Sequence, residues 1–587
     1  NRRIQNSAYR PAPIFLFNMS TWKIKKPDPQ LVSLIQQEFN CSLIIASVMA
    51  NRNILSKEEA QKFFSPTLES LHDPFLMQDM DKAADRLADC IKNRQNILVF
   101  GDYDVDGTTG ASTLGLFINS AGGNSEVYVP DRETEGYGLS TQGVDRAEKI
   151  GAELIITSDC GITGHDSVDY ANSRDIDVII TDHHMPSPEL PNAYAVLNPK
   201  RDDCSYPFKG LCGGGVTLKL AEAAAKLLEI DPELVYSHLD LITLGTSADL
   251  VPILDENRAI VHHGLKSLKK TEKPGLHALL EVSNLLEKEL TVGRLIFGVA
   301  PRINAAGRLG DANRAVALFS TDNPIEAAEI ARDLDEENRN RQDIQQTIVD
   351  EALLKVNSEC DLQNENAIVL WEEGWHQGVI GIVASRIKEE FHRPTVIIAM
   401  ENGVGKGSAR SIYNFDLYEN FTNCAAHLDG FGGHPMAAGM TISKSNLPLF
   451  RETFINLANN ALSESDLVGT LTIETEMKLS DINGRFMEFL DKLAPFGPGN
   501  MRPQFVSRKV EIAGKPRLVG NGDHLKFRAK QNSKTFDAIA FNMGKHYSDL
   551  LSGKPFDLAF VVEENEWQGR KSIQLNIRDI KLRGGLT

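Results

Sequence analysis

The chain has no cysteine framework. Its seven cysteines (Cys41, Cys90, Cys160, Cys204, Cys212, Cys360 and Cys424) are an odd number among 587 residues, with no C-x-x-C pair. This excludes a disulfide-stapled scaffold and predicts the reduced thiols of a cytoplasmic protein. No apolar run approaches the ~18 residues of a membrane span. Ile14-Phe15-Leu16-Phe17 is too short for a signal-peptide core. Positive charge is scarce: 62 Lys and Arg against 80 Asp and Glu leave a net −18. Such a chain does not coat nucleic acid by bulk charge. No repeat of about 20–50 residues recurs.

What is present is an ordinary globular balance, 42% hydrophobic and 24% charged. It excludes disordered and collagen-like classes. At roughly 100–200 residues per domain the length predicts three or four domains. Met19-Ser20-Thr21-Trp22 reads as a natural start and sets residues 1–18 apart as an upstream extension. Charge is distributed unevenly. Residues 501–587 hold 16 Lys and Arg against 9 Asp and Glu, a local +7 on an otherwise acidic chain. A basic module binding a polyanion and a solvated basic face fit this equally well.

Residues 19–75 read as short helical pieces punctuated by proline. Beyond them, apolar runs alternate with helical segments: Asn96–Phe100, Glu126–Val129, Leu154–Thr157 and Val178–Thr181. Continuous apolar strands of this kind predict a parallel sheet covered on both faces. Residues 324–357 are nearly free of breakers and predict one helix of ~50 Å. A second α/β unit follows, with strands at Ala367–Leu370 and Thr395–Ile398 around a helix at 379–391. After residue 504, five short β segments suit a small closed barrel of the OB type.

The chemistry starts where the first strand ends, at Asp102-Tyr103-Asp104-Val105-Asp106-Gly107. Three alternate carboxylates suit a hard cation. An EF-hand loop shares this spacing but needs a preceding helix and a Glu at position 12, where this chain has Thr113. Two further strands deliver Asp159-Cys160-Gly161 and Asp182-His183-His184, and Asp249 follows a helix. Parallel strands bring their C-terminal ends to one edge, where open α/β folds bind ligands. So many acids in one crevice repel unless cations hold them. Two divalent metals sharing a carboxylate suit phosphoester hydrolysis, and imidazole among the ligands favours Mn²⁺ over Mg²⁺. A single Asp at a strand end is ordinarily a helix N-cap.

The set Asp102–Gly107, Ser158–Gly161, Thr181–His184 and Ala248–Pro252 resembles the four motifs of the DHH phosphoesterase superfamily. Within it, residues 19–587 are similar to the RecJ single-strand-specific exonucleases. The resemblance implies metal ligands at Asp104, Asp106, Asp159, His183 and Asp249, with Asp159 bridging. It puts His184 at the scissile phosphate and makes Asp102 a supporting or weak ligand. It also implies an α/β fold: a parallel-sheet DHH domain (76–323), a connecting helix (324–360), a smaller α/β DHHA1 domain (361–465) and a C-terminal OB-like β-barrel (466–587), after an N-terminal segment (19–75).

Three further segments carry phosphate-binding chemistry. Pro301–Arg308 places two arginines and an amide on a compact Ala/Gly-rich turn, although Arg pairs as readily with a nearby acid such as Asp311. Gly405–Ser411 offers exposed backbone N–H groups, hydroxyls and cations, or an ordinary Gly-rich hairpin. Gly430–Gly439 surrounds His434 with small residues in a loop. With Gly374–Gly381 these resemble the DHHA1 substrate-binding domain. That implies Ser408 and Arg410 on a 5′-terminal phosphate, Arg302, Asn304, Arg308 and His434 nearer the reacting phosphate, and Gly432 and Gly433 allowing close approach. In the barrel region Arg508, Lys509, Lys515, Arg517, Lys526, Arg528, Lys530 and Lys534 lie among Phe505, His524, Phe527 and Phe536. Cations that track a backbone and rings that stack on bases suit a single strand, whereas barrel-filling accounts for most of the rings. The leading expectation is a metal-dependent 5′→3′ exonuclease on single-stranded DNA in recombination and repair, with a single-strand-binding protein and a helicase as partners, monomeric and not membrane-bound. A phosphodiesterase for short oligoribonucleotides or nucleotide phosphates, and a non-catalytic replication scaffold, are the alternatives.

Overall fold

The computed structural model describes residues 20–132, 134–309, 311–567 and 570–583. Residues 1–18, read above as an upstream extension, lie outside them. The described chain divides into two compact units. One comprises Lys26–Arg341 with residues 474–583, the other residues 20–25 with Gln342–Ile473.

The first unit contains a five-stranded parallel sheet. Its order is Asn124–Tyr128, Asn96–Gly101, Ala152–Ser158, Asp177–Thr181 and Ala195–Leu197. Successive side chains on a strand face opposite ways. Accordingly Ile97, Val99, Leu154, Ile156 and Ile179 join one core, with helices Met80–Asn93, Val105–Ser120 and Gly213–Leu227. Leu98, Phe100, Ile155, Val178 and Ile180 join a second core against Thr141–Lys149 and His165–Asn172. Both faces are therefore covered, as the unbroken apolar runs predict. The chain leaves Asn96–Gly101 to one side and returns on the other. The C-terminal end of that strand is thus a topological switch point, and the Asp102–Asp106 loop sits on it.

Five strands of the C-terminal region close a barrel: Gln504–Ile512, Phe556–Trp567, Arg570–Leu582, Lys534–Ala540 and His524–Gln531, the last pairing back onto the first. Phe505 and Phe527 fill its interior, so these two rings are core. Alternation along His524–Gln531 turns Lys526, Arg528 and Lys530 outward and exposed. The N-terminal helices Pro29–Phe39, Leu43–Ala50 and Lys57–Phe64 are not a separate element, because Val32, Ile35, Val48 and Ala60 share the barrel's core with Phe486 and Leu490. Arg258 fastens this region to the sheet domain. Its buried guanidinium donates to the carbonyls of Phe63, Lys492, Ala494 and Pro495 and lies 3.9 Å over the Phe63 ring.

The second unit has a five-stranded mixed sheet in the order Gly430–His434, Ala437–Ser443, Val404–Arg410, Thr395–Glu401, Ile368–Glu373. A two-stranded parallel pair, Thr21–Ile24 with Thr470–Ile473, stands apart from it. The N-terminal segment, expected as helical pieces only, therefore begins with a strand. β-Branched residues at Thr21, Ile24, Thr470, Thr472 and Ile473 suit that pairing. Pro324–Glu359 forms one 36-residue helix, ~54 Å at 1.5 Å per residue. Its first turns bury Ala327, Ala331 and Leu334 in the first unit, and its last bury Ile348, Val349, Ala352 and Val356 in the second. No single helix among the described residues is long and apolar enough to cross a membrane.

Candidate metal centre

Each acid reaches the site through a local device. Asp104 caps the helix Val105–Ser120, accepting the N–H groups of Asp106 and Gly107 at 2.9 and 3.0 Å. That cap turns the chain so that Asp102, Asp104 and Asp106 all project from one strand end. Asp159 follows its strand with φ +66°, a left-handed conformation that reverses the chain at once. Asp182 is fully buried and holds the next two residues. It accepts the backbone N–H groups of His183 and His184 at 2.7 and 2.9 Å and the His184 Nδ1 at 2.8 Å. Asp249 ends the helix Leu239–Ala248, and Leu250 after it takes φ +59°.

These pieces converge on three overlapping groups whose ligand atoms lie within 4.8 Å of one another. They are Asp106 with His183 and Asp249, Asp102 with Asp104 and Asp159, and Asp159 with His183 and His184. The His183 Nε2 is 3.1 Å from Asp159 and 3.5 Å from Asp249, linking the first two groups. Asp102 Oδ1, Asp159 Oδ1, Asp249 Oδ2 and both His183 nitrogens are buried without a hydrogen-bond partner. Unpaired buried acceptors are costly. A cation is the partner that this oxygen-and-imidazole set fits, and the cluster is a divalent-metal site.

The electrostatics agree. Burial, then the neighbouring Asp104, pushes Asp106 up to about 7 and Asp249, with Asp106 also beside it, to about 9. Burial and its carboxylate neighbours hold Asp102 and Asp159 well above the carboxylate range. His183 is pushed down to about 3, first by burial and then by His184 and Lys200, which leaves it a neutral imidazole able to ligate. Burial disfavours the charged form of His184, but the hydrogen bond to Asp182, together with the charges of Asp182 and Asp102, raises the pKa. Burial likewise opposes ionisation of Asp182, and the hydrogen bonds it accepts from His184 still bring it below the usual value.

Several contributors carry no motif of their own. Gly213 and Gly214, at the N-terminus of Gly213–Leu227, donate to Asp106 at 2.6 and 3.2 Å. A Cβ on Gly245 would come within 2.5 Å of the same carboxylate, so the third helix also needs a glycine there. The Tyr137 hydroxyl lies 3.2 Å from His184 Nδ1. Arg132 stacks over the Tyr103 ring at 5.1 Å, and Lys200 acts on Asp249 and His183. Sequence offers no local signal for any of these beyond residue type.

Pro301–Arg308, expected as a turn, lies within the helix Ala300–Leu309, preceded by a π-helical turn at Leu295–Val299. Proline is tolerated in a first turn, and Ala305 and Ala306 are strong helix formers. The helix comes close to the carboxylate loop, since a Cβ on Gly307 would meet the Tyr103 carbonyl at 2.8 Å. Arg308 acts electrostatically on the Tyr103 phenol, and Asn304 lies one turn earlier, half-buried. Arg302 is taken up otherwise. Its guanidinium pairs with Asp335 at 2.7 Å and donates to the carbonyls of Gly298 and Val282, so it anchors the helix.

Within the second unit, Ser408 and Arg410 lie on the strand Val404–Arg410. This is neither a loop nor a free hairpin, and its backbone pairs with strands on both sides instead of offering open N–H groups. Arg410 donates to Ser408 Oγ at 3.1 Å beside Gly381, at the start of the helix Ile380–Phe391. It has no carboxylate partner among the described residues, and burial lowers its pKa. Gly432, Gly433 and His434 lie exposed on the edge strand Gly430–His434, again a strand where a loop was expected. Gly433 takes φ +142°, and a Cβ there would lie 2.5 Å from the Ala437 carbonyl.

Residues 96–246 match the model of the DHH family N-terminal domain, 364–460 that of the DHHA1 domain, and 473–579 that of the RecJ OB domain. The chain is 36% identical over 560 residues to the single-stranded-DNA-specific exonuclease RecJ of Bacillus subtilis (strain 168), covering 95% of this chain and 70% of that protein. In structure it is similar to RecJ of Thermus thermophilus in complex with Mn²⁺, with a TM-score of 0.83 and 27% identity over 97% of this chain and 80% of that one. The Mg²⁺ complex of the same protein gives 0.77 and 26% over 96% and 79%. The carboxylate–histidine cluster, the three domain matches and this likeness over most of the chain agree: the chain belongs to the RecJ family of single-stranded-DNA-specific exonucleases.

Proposed function

We infer that this chain is a metal-dependent exonuclease that hydrolyses the phosphodiester bonds of single-stranded DNA, working 5′→3′. The observation that carries this is the set of buried polar atoms on Asp102, Asp159, Asp249 and His183 without a hydrogen-bond partner, with ligand atoms within 4.8 Å. Two divalent ions, Mn²⁺ in preference to Mg²⁺, would be held by Asp104, Asp106, Asp159, His183 and Asp249, with Asp159 shared and Asp102 supporting. Bound there, such ions supply Lewis-acid polarisation of the phosphoryl group and lower the pKa of water.

The chain's own residues do the remaining work. Asp182 accepts from His184 Nδ1, so Nε2 is the nitrogen that can carry a proton toward a phosphate oxygen, and the Tyr137 hydroxyl lies beside both ring nitrogens. Arg308 and Asn304, on a helix close to the carboxylate loop, receive the flanking phosphate as charge-assisted donors. Ser408 and Arg410 bind a 5′-terminal phosphate, a role supported by an arginine that has no carboxylate partner among the described residues. Gly432 and Gly433 give the strand close access beside His434, which donates to phosphate. Arg302 acts by holding its helix.

In this reading residues 76–323 are the catalytic domain, 324–360 the connecting helix, 361–465 the substrate-binding domain and 466–587 the nucleic-acid-binding barrel, whose row of Lys526, Arg528 and Lys530 tracks a backbone. The protein acts as a cytoplasmic monomer of bacterial type in recombination and repair, beside a single-strand-binding protein and a helicase.

A 3′-labelled single strand incubated with Mn²⁺ tests this. A ladder of shortening products is expected, absent on blunt duplex and absent for Asp104→Ala. Intact DNA with cleavage of short oligoribonucleotides alone would establish a small-substrate phosphodiesterase instead. No cleavage and no metal uptake would leave a scaffold.

A further inference from the structure

Phe297 is 84% exposed, the most exposed of the large hydrophobic side chains described. It projects from the π-helical turn Leu295–Val299, while Leu295 and Val299 on the same turn are buried against Leu241 and Leu244 of the helix that delivers Asp249. π-Helical turns are rare and occur frequently at functional sites. Counting on from Phe297, the residues of this helix that retain exposure at spacings of four, three and four are Pro301, Asn304 and Arg308. Between them Gly298 and Arg302 are half-buried, with Arg302 committed to Asp335, and Val299, Ala300, Ile303, Ala305, Ala306 and Gly307 are buried. Residues so spaced share one face. One stripe therefore runs from an exposed aromatic ring, past an amide, to a guanidinium at the end of the helix that abuts the carboxylate loop through Gly307 and Tyr103.

An aromatic ring followed by polar and cationic groups along one groove is the arrangement that holds a single strand without reading its sequence. We propose that Phe297 stacks on a nucleobase of the substrate strand and that Asn304 and Arg308 follow its phosphates, so that this helix feeds the strand to the metal centre. The proposal rests on the exonuclease reading and adds to it a base contact at a set distance from the reacting phosphate. From Phe297 to Arg308 is ~16 Å at 1.5 Å per residue. That is about five nucleotides at the ~3.4 Å spacing of a stacked strand, and fewer for a stretched one.

The test uses the full chain with Mn²⁺ and a set of dodecanucleotides, each with an abasic site at a different position from the 5′ end. Wild type is compared with Phe297→Ala and Phe297→Trp. Phe297→Ala is expected to raise KM on the intact oligonucleotide roughly 5- to 150-fold with kcat unchanged, and Phe297→Trp to restore it. At one position beyond the scissile phosphate, the abasic site should weaken the wild type by the same factor and weaken Phe297→Ala no further. An unchanged KM for Phe297→Ala, or abasic effects that add to it at every position, would overturn the base contact. Wild-type protein that leaves all the DNA intact would overturn the exonuclease reading itself, and the wild-type lane alone reports that outcome.

Discussion

The carboxylate of Asp106 accepts the backbone N–H of Gly213 at 2.6 Å, across 107 residues of chain. Gly214 adds a second donor at 3.2 Å. The first turn of a helix carries unsatisfied N–H groups and a partial positive charge. One end of a 15-residue helix thus supports a carboxylate that burial and Asp104 would otherwise keep protonated. The same helix end leaves no space at Asp159, because a Cβ on Gly213 would lie 2.4 Å from the Asp159 Cβ.

Gly213→Ala should therefore displace Asp159 or the helix. Groups that orient ligands typically account for about 10–100-fold in metal affinity or activity. A loss of that size in Mn²⁺ affinity, measured by calorimetry on protein with an unchanged circular-dichroism spectrum, is expected. Wild-type affinity in the variant would show that the contact does not position the site.

The metal-free protein should lose stability as pH rises. Asp106 titrates at about 7 and Asp249 at about 9 in the folded chain, against about 3.9 for an unfolded Asp. Between those values the folded state binds more protons than the unfolded one, so the slope of unfolding free energy with pH is negative. The Tm should fall from pH ~5 to pH ~9, and added Mn²⁺ should raise Tm more at the alkaline end, where fewer protons compete for the carboxylates. A Tm that climbs with pH in chelator would contradict the assignment.

Asp182→Asn should separate orientation from ligation. The carboxylate accepts from two backbone N–H groups and the His184 ring on one oxygen and from Ile162 on the other. An amide keeps only one acceptor oxygen and no charge. A fall in kcat of about 10–100-fold is expected, with the pH–rate limb that belongs to His184 moving to lower pH, because Asp182 is what raises that histidine. An unshifted limb would remove Asp182 from this role.

Arg258→Met should loosen the barrel from the sheet domain. It leaves four carbonyls without their donor, that of Pro495 buried and those of Phe63 and Ala494 half-buried. The loss is about 3–5 kcal/mol, in the range for removing one side of a buried polar network. Scanning calorimetry should show a lower or split transition, and limited proteolysis should cut near 492–500 sooner than in the wild type. A single unshifted transition would count against the clasp.

Most of the carboxylates were legible because they sit at strand ends, with Asp249 at a helix end the exception. An apolar run ending in Gly or Ser and then an acid is a local pattern, and parallel pairing carries all such ends to one edge. The residues that tune them were not legible. Gly213, Tyr137, Arg132 and Lys200 act through contacts with no period and no fixed spacing. Pro301–Arg308 read as a turn because Pro and Gly punctuate most chains. Here the proline falls in a first helical turn, and the glycine is needed for close packing against Tyr103.

The sequence by itself determined the parallel sheet, the 36-residue helix, the closed barrel and the acids at their strand ends, because hydrophobic period and turn chemistry are local properties. Only the tertiary structure decided which acids face one another and which helix end stabilises Asp106. It alone committed Arg302 to Asp335 and drew the N-terminal helices into the barrel's core. Those outcomes depend on burial and on partners tens to hundreds of residues away, beyond the reach of local patterning.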